Sequence, residues 1–482
     1  MSPVTLQSLA GIVGGRISGP PDSGDIVITD VVHDSRHAAA GSLFVAVSGF
    51  VTDGHDHVAA ALTAGAAAVC VADDGRAEGS PAIIVADTRR AMGPLAAEVH
   101  GHPADRLRMI GITGTNGKTT VAHLLGGIAS AAGLEPAVIG TVGSSIAGKA
   151  ITQPRTTPEA TDFHRLLREM VDSGVDLAAL EISSHALALG RVAAARFDLG
   201  AFTNLSQDHL DFHSDMEDYY LAKRRLFTQS DRGVVWIDDP AGARLASEVE
   251  IPLVTVGRTD ADVVCEPSAA TLDGTTLRIR GVSGGAEFRL RLPGDFNVSN
   301  AAVAAACAEA SDIEWRAIAA GIESVKRVPG RFEVVPIPAA NATVIVDYAH
   351  TPEGVASAVS AAARLAPGRV VAVVGAGGDR DRAKRPLMGR AAATADLAVV
   401  TSDNPRSEEP TRIVAEVAAG VPASAEVEVE VDRRAAIRLA LARSKKGDVV
   451  LILGKGHEQG QEIGSEIIPF DDRTVAIEEA AS

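Results

Sequence analysis

Residues 111–120 read Gly-Ile-Thr-Gly-Thr-Asn-Gly-Lys-Thr-Thr, and their types and spacing suit a phosphate cradle. Gly114 and Gly117 have no Cβ, so the backbone N–H groups of Gly114, Thr115, Asn116 and Gly117 can approach phosphate oxygens closely. Lys118 can reach the terminal phosphates, and the hydroxyl of Thr119, with Thr120 beside it, can face a divalent cation. Apolar Leu107, Met109 and Ile110 predict a strand before the loop, and Val121, Leu124, Leu125 and Ile128 predict a helix after it. The helix start adds a favourable dipole for an anion. The strict phosphate-loop pattern places glycine six residues before the lysine; here that residue is Ile112, and Gly111 lies one position earlier. An ordinary glycine turn is the alternative, and Gly-Lys-Thr at a strand-to-helix switch argues against it.

Other stretches carry chemistry. Glu181-Ile182-Ser183-Ser184-His185 follows an apolar run, and loops at the carboxyl ends of parallel strands are where α/β sites form. Glu181 is therefore a candidate metal ligand, with a solvated strand-end carboxylate as the alternative. In Phe202–His213, His209 and His213 stand four residues apart, a spacing that shares one face of a helix. Zn²⁺ would suit two histidines, but no cysteine is near, and a phosphate loop upstream favours Mg²⁺ with carboxylates. Tyr219–Phe227 reads as a basic amphipathic helix in which Lys223, taken alone, is an ordinary surface lysine.

The elements that must position these residues follow from the pattern. The chain of 482 residues is 46% hydrophobic and 22% charged, an ordinary globular profile for several domains. Its net charge of −17 disfavours nucleic acid and anionic membranes as partners, but not small phosphorylated substrates held by local cations. Cys70, Cys265 and Cys307 form no CxxC and fit a reducing compartment. Met1-Ser2-Pro3-Val4-Thr5 lacks the features of a leader, no run reaches the length of a membrane span, and a cytoplasmic location is expected. Three α/β units are predicted. The first carries Ile26–Ile28, Leu43–Val47, a helix near His57–Ala66 and Ala67–Val71, and ends at the joint His100-Gly101-His102-Pro103. The second runs from the phosphate-loop strand through Leu177–Ile182, Gly233–Ile237 and a helix from about Asn300 to Ile322. The third starts near Val328-Pro329-Gly330 and alternates strands at Thr343–Val346, Val370–Val374, Leu397–Val400 and Val449–Leu453 with alanine-rich helices. That alternation implies a doubly wound parallel sheet. Gly375-Ala376-Gly377-Gly378 lacks the third glycine of a dinucleotide fingerprint, because Arg380 stands there.

Taken in order, Thr113–Thr119, Glu181–His185, Asp208–His213, Tyr219…Lys223…Phe227, Asn297–Asn300, Pro329-Gly330-Arg331, Asp347–Pro352 and Gly454–Glu458 resemble the motif series of the Mur ligases, the ATP-dependent amide-forming enzymes of peptidoglycan precursor synthesis. Asp34-Ser35-Arg36 and Asp53-Gly54-His55 extend the resemblance to the N-terminal region, so it covers nearly the whole chain. Asp403-Asn404-Pro405-Arg406 narrows it to the branch that adds meso-2,6-diaminopimelate to UDP-N-acetylmuramoyl-L-alanyl-D-glutamate.

The resemblance implies an α/β protein of three domains: residues 1–102 binding UDP, a central phosphate-loop domain over 103–328 with a mostly parallel sheet binding ATP, and a Rossmann-like doubly wound domain over 329–482 binding the amino acid. It implies an acyl-phosphate intermediate, ATP and Mg²⁺ as cofactors, small molecules as partners, and a monomer. Lys118, Glu181, His209 and Lys223 are the implied catalytic set. Thr119 and Glu181 would hold one Mg²⁺, and His209 and Lys223 a second, with Lys223 converted to a carbamate (N6-carboxylysine). Gly114 through Thr120, Asn300, Arg331 and Asp347 match nucleotide contacts. Ser35, near the loop Phe50-Val51-Thr52, together with Thr156, Thr157, Ser183 and Arg191, matches positions that hold the UDP-sugar peptide. Arg380, Asn404, Arg406, Gly454 and Glu458 match the diaminopimelate pocket. A lysine-adding relative, a folylpolyglutamate synthase and a catalytically silent nucleotide-binding scaffold are the rivals. Asp403–Arg406 disfavours the first, the Asp34–Arg36 region the second, and the complete catalytic set the third.

Overall fold

The computed structural model describes residues 3–50 and 52–481; Met1, Ser2, Val51 and Ser482 lie outside the described residues. Internal contacts divide the chain into two compact units. One comprises residues 1–113, 134–200 and 222–233, and the other residues 114–133, 201–221 and 234–482.

The first unit opens with a five-stranded sheet in the order Arg16–Ser18, Ala82–Ile84, Ala68–Val71, Ser42–Val45, Asp30–Val32. The first pairing is antiparallel and the others are parallel. Ser42–Val45 and Ala68–Val71 are buried at every position, as strands covered on both faces must be. Helices Leu6–Ile12 and Thr88–Val99 pack Leu6, Leu9, Met92 and Leu95 on one face, and Val58–Thr63 packs Val58 and Ala61 on the other. The apolar run Ile26–Ile28 forms no strand of this sheet. Its backbone pairs instead with the N-terminal segment, through Leu6 N to Ile26 O and Ile28 N to Val4 O, and the strand begins at Asp30.

Also in this unit, Arg108–Thr113 lies parallel to Leu177–Glu181, which lies parallel to Pro136–Ile139. Gly111 belongs to this packing and not to the phosphate loop. A Cβ there would stand 2.9 Å from Leu226 Cδ1 and 3.0 Å from Phe197 Cδ1. The offset glycine is a close-packing residue of the strand, which accounts for the departure from the strict pattern.

In the second unit, helix Lys118–Ala131 packs against Asp295–Ala310 and Trp315–Ser324. The single helix expected over 300–322 is two helices. Ser311 and Asp312 interrupt it, Asp312 in the left-handed region at φ +61°, as polar turn formers do between apolar runs. Gly321 is the point of closest approach, since a Cβ there would lie 2.3 Å from Ile128 Cα and 2.8 Å from Gly127 O. Backbone cannot give way as a side-chain tip can. Gly321→Ala is therefore expected to cost about 1–3 kcal/mol of stability, as overpacking does, read as a lower Tm.

The C-terminal part holds a six-stranded sheet in the order Glu333–Val335, Thr343–Asp347, Val449–Leu453, Val370–Val374, Leu397–Val400, Val427–Val429. Only the first pairing is antiparallel. The four inner strands sit where the sequence pattern placed them. The register sets Asp347 beside Leu453 and Val374 beside Val400, so the loops after these strands open on one edge of the sheet. In a doubly wound sheet that edge is where ligands bind.

Candidate active site

In the second unit the phosphate loop is held open by its neighbours and not by its own side chains. Gly114 and Gly117 have φ of +145° and +89°. A Cβ at Gly114 would lie 1.9 Å from Thr203 Oγ1, and one at Gly117 would lie 2.2 Å from Asn300 Oδ1. Both glycines are thus required by conformation and by space. Asn204 brackets Asn116, with its amide Nδ2 donating to Asn116 O at 3.0 Å and its Oδ1 accepting from Asn116 N at 3.0 Å. Thr203 Oγ1 donates to Asn116 O at 2.6 Å, and Thr115 N donates to Asn204 O at 2.8 Å. Lys118 Nζ curls back to donate to Gly114 O and Thr115 O, each at 2.9 Å. That pose keeps the ammonium over the loop mouth, where an anion would sit.

Arg331 Nη2 donates to Thr119 Oγ1 at 3.1 Å, and its guanidinium lies 4.5 Å over the Tyr348 ring. Among the described residues its buried Nε has no hydrogen-bond partner, which leaves it a donor for an acceptor from outside the chain. Asn300 Nδ2 donates to Asn297 Oδ1, which fixes its Oδ1 against Gly117. Asp347 accepts from Phe332 N at 2.6 Å and Ala349 N at 2.9 Å. Burial pushes its carboxyl above the usual range, against the pull of Arg331 and these N–H groups. The His457 imidazole beside Tyr348 is driven down to about 3 by burial and by Arg331, so it is neutral at any physiological pH.

His209 and His213 do not share a helix face. His209 has φ +55°, the two residues span a turn, and the helix begins only at Met216. His213 is buried and its Nδ1 lies 3.2 Å from Asp218, whereas His209 is partly exposed 3.4 Å from Asp208. Asp208 also faces His350 at 3.7 Å. Burial works against its charge, yet the hydrogen bond and charge of His350, with His209 and Lys384, hold its carboxyl well below the usual range. Lys223, on the helix Met216–Thr228, is 1% exposed and so is no surface lysine.

At the open edge of the C-terminal sheet, Asn404 Nδ2 donates to Glu458 Oε2 at 2.8 Å. Lys455, fully buried, donates to Asn404 Oδ1 at 2.8 Å and Glu458 Oε2 at 3.0 Å. Gly454 at φ +112° lets the chain pass Asp403, whose Oδ2 would lie 2.2 Å from any Cβ. Arg406, at φ +51°, donates from Nη1 to Gly378 O at 2.9 Å. Gly377, between Arg406 and Arg380, leaves room for both side chains. Arg380 itself is exposed, and its Nη1 donates to Asp379 O.

In the first unit, Glu181 is buried, and its carboxylate accepts from Thr141 N at 2.9 Å and Thr141 Oγ1 at 3.2 Å. Gly140 is the residue that makes room for it. Thr141 Oγ1 lies 2.9 Å from Thr156 Oγ1, and Thr157 Oγ1 donates to Glu181 O at 2.8 Å and accepts from Ser183 N at 3.1 Å. Arg191 donates to Thr157 O and pairs with the buried Glu159 at 2.9 Å; Arg89 and Arg155 face the same carboxylate. Burial pushes the Arg191 guanidinium down from its usual value, and Glu159 restores part of it. Glu181, Thr156, Thr157, Ser183 and Arg191 thus form one connected group. Ser35 opens a short 3-10 turn capped by Asp34.

Sequence reasoning placed Thr203, Asn204, Asp208 and Lys455 inside motifs but gave them no role. Their polar density was the available signal. Thr141 carried none, being one threonine after a glycine at a strand end.

A glycine loop opening a helix at the end of a parallel strand, flanked by Asn300 and Arg331, defines a phosphate-loop α/β protein. Family models match in three stretches: "Mur ligase family, catalytic domain" over residues 27–101, "Mur ligase middle domain" over 112–308, and "Mur ligase, glutamate ligase domain" over 330–456. The UDP-N-acetylmuramoyl-L-alanyl-D-glutamate–2,6-diaminopimelate ligase of Geobacillus thermodenitrificans is 44% identical over 483 residues, covering 98% of each chain. The ligase of the same name from Streptomyces coelicolor is 44% identical over 492 residues, covering 98% of this chain and 96% of that one. A solved structure of a ligase of this name superimposes with TM-score 0.69 at 30% identity, covering 99% of both chains. MurF from Acinetobacter baumannii shares the fold at TM-score 0.70 and 21% identity, over 94% of this chain and 96% of that one. The chain belongs to the Mur ligase family and has its three-domain α/β fold.

Proposed function

We propose that this chain is the ATP-dependent ligase that joins meso-2,6-diaminopimelate to UDP-N-acetylmuramoyl-L-alanyl-D-glutamate in cytoplasmic peptidoglycan precursor synthesis. The carrying observation is the group Asn404, Arg406, Lys455 and Glu458 at the ligand edge of the C-terminal sheet, which offers both a guanidinium and a carboxylate. A diamino dicarboxylic acid has the ammonium and carboxylate to match both. Residues 1–102 would hold the UDP moiety, 103–328 ATP and 329–482 the amino acid. Among the described residues no helix is long and apolar enough to cross a membrane.

A carboxylate is a poor electrophile, so the glutamyl carboxylate attacks the γ-phosphorus of ATP and ADP leaves. The amine of the incoming amino acid then attacks the acyl carbon, loses a proton and expels phosphate. Both steps gather negative charge, and positioned cations and N–H groups lower that barrier. Lys118 and the N–H groups of Gly114 through Thr120 face the phosphates, and Asn300, Arg331 and Asp347 hold the nucleoside side. Thr156, Thr157, Ser183 and Arg191, with Ser35, hold the nucleotide-sugar peptide. Arg380, Asn404, Arg406, Gly454 and Glu458 hold the diaminopimelate.

Mg²⁺ fits the donor set. Glu181 is a buried carboxylate that, among the described residues, accepts only from the neutral Thr141 and pairs with no cationic side chain. Among the described residues no group of three or more His, Cys, Asp or Glu gathers as a metal site. Thr119 and Glu181 would hold one ion, and His209 and carbamylated Lys223 another. When bound, Mg²⁺ supplies neutralising charge at the phosphates. Carbamylation joins the Lys223 amine to CO₂ with loss of a proton, replacing a buried cation with an anionic oxygen donor. With ¹³C-bicarbonate, a carbamate carbon resonance is expected in the wild-type protein and absent in Lys223→Ala; a resonance that survives the substitution overturns the assignment.

The reading as a whole is tested by ADP release with the UDP-sugar dipeptide across diaminopimelate isomers, lysine and ornithine. Release dependent on meso-diaminopimelate is expected. Release of equal efficiency with lysine overturns the amino-acid assignment, and no amino-acid-dependent release with any of them overturns the ligase reading.

A further inference from the structure

The Arg406 guanidinium is already engaged by a carboxylate of this chain. Glu462 Oε2 lies 2.6 Å from Arg406 Nε, and Nη1 is committed to Gly378 O. The backbone keeps the two residues side by side. Arg406 N donates to Glu462 O at 3.0 Å, Gly464 N donates to Arg406 O at 2.8 Å, and Glu462 N donates to Asn404 Oδ1 at 3.0 Å. The hairpin Gly460–Ile463 and Glu466–Pro469 thus brings Glu462 to the edge of the pocket that Asn404, Lys455 and Glu458 line.

A carboxylate takes a guanidinium best in a two-point fork, using Nε with Nη2 or the two Nη atoms. Here one of those edges is met by Glu462, and the other includes an Nη already bonded to a carbonyl. An incoming remote carboxylate meets the full fork only when Glu462 turns away. Glu462 can do so, because its side chain is 43% exposed whereas that of Arg406 is 22% exposed.

We infer that Glu462 is an internal stand-in for the substrate's remote carboxylate: it occupies Arg406 in the absence of amino acid, is displaced by diaminopimelate, and thereby sets how strongly the pocket prefers diaminopimelate over lysine. The inference rests on the reading of Arg406 as the partner of that carboxylate. It has a consequence opposite to that of an ordinary binding residue. Lysine leaves the Arg406–Glu462 pair intact and suffers no unpaired guanidinium, so Glu462 softens the rejection of lysine. Removing its charge should tighten diaminopimelate and sharpen selectivity.

The test compares Glu462→Gln and Glu462→Ala with wild type in steady-state ADP release, with meso-diaminopimelate or lysine varied at saturating ATP and UDP-sugar dipeptide. The backbone bonds that anchor the hairpin do not use the Glu462 side chain, and thermal melts of both variants check the fold. The expected result is a three- to tenfold lower KM for diaminopimelate in both variants, no fall in the KM for lysine, and no change in the KM for ATP. A diaminopimelate KM within twofold of wild type, or raised, in whichever variant melts like wild type overturns the inference, as does a parallel fall for lysine. Wild type that releases ADP with diaminopimelate while the variants do not shift separates failure of this inference from failure of the ligase reading, in which wild type itself does not respond.

Discussion

Lys118→Ala is expected to reduce turnover by at least about two orders of magnitude while leaving the fold intact. The loop is shaped by other residues: Thr203 and Asn204 hold Asn116, and Gly114 and Gly117 fit against Thr203 and Asn300. Lys118 donates to Gly114 O and Thr115 O, but the conformation of the loop rests on the bonds that hold Asn116 and on the two glycines. Its loss should therefore be felt in the reaction and not in the melt. Removing one preorganised group from developing charge costs about 2.7–4 kcal/mol in barrier, and a cation over transferring phosphoryl oxygens belongs at that scale. The check is kcat for ADP release together with Tm. A variant with wild-type Tm and near-wild-type ligation overturns the phosphate-loop assignment.

The parts of this fold that were legible in the sequence are those where one local rule acts alone. The strands at Val370–Val374 and Val449–Leu453 are short, wholly buried apolar runs rich in Val and Ile, and they stand where the pattern placed them. The phosphate loop was legible because glycine, lysine and threonine at that spacing have few other uses. Where a second, non-local demand competed, the reading slipped. Ile26–Ile28 has the composition of a strand, but its hydrogen bonds go to residues near Val4 and Leu6. The i, i+4 histidines suggested a helix face, but His209 takes a left-handed backbone and Tyr219 packs against both rings. Gly111 resembled a displaced loop glycine, and its reason lies in Phe197 and Leu226, distant in sequence. Lys223 looked like a solvated lysine because amphipathicity says which residues are charged, not which face the fold covers. Thr141 beneath Glu181 and Glu462 on Arg406 left no mark in the sequence; both matter only through a partner that topology supplies.

Arg406→Ala is expected to raise the KM for meso-diaminopimelate by about 30-fold or more and to narrow its advantage over lysine, with the KM for ATP unchanged. The remote carboxylate is the one group that separates the two amino acids, and Arg406 is the cation at the ligand edge positioned by its own backbone to meet it. Truncating one partner of a hydrogen-bonded charge pair costs about 2–5 kcal/mol when the pair is buried. Arg406 retains some exposure and a second carboxylate in Glu462, so the lower end of that range applies. Lysine makes no use of the guanidinium, and its own KM should move little. Arg406→Lys should rescue poorly. One ammonium cannot hold Gly378 O and a two-oxygen fork at once, whereas the planar guanidinium can. The measurement is kcat/KM for both amino acids in wild type and the two variants. A diaminopimelate KM within threefold of wild type in Arg406→Ala would remove Arg406 from the specificity site. Asn404 and Lys455, which hold Glu458 in place, would then remain as the means of selecting the remote ammonium alone, and lysine would be used nearly as well as diaminopimelate.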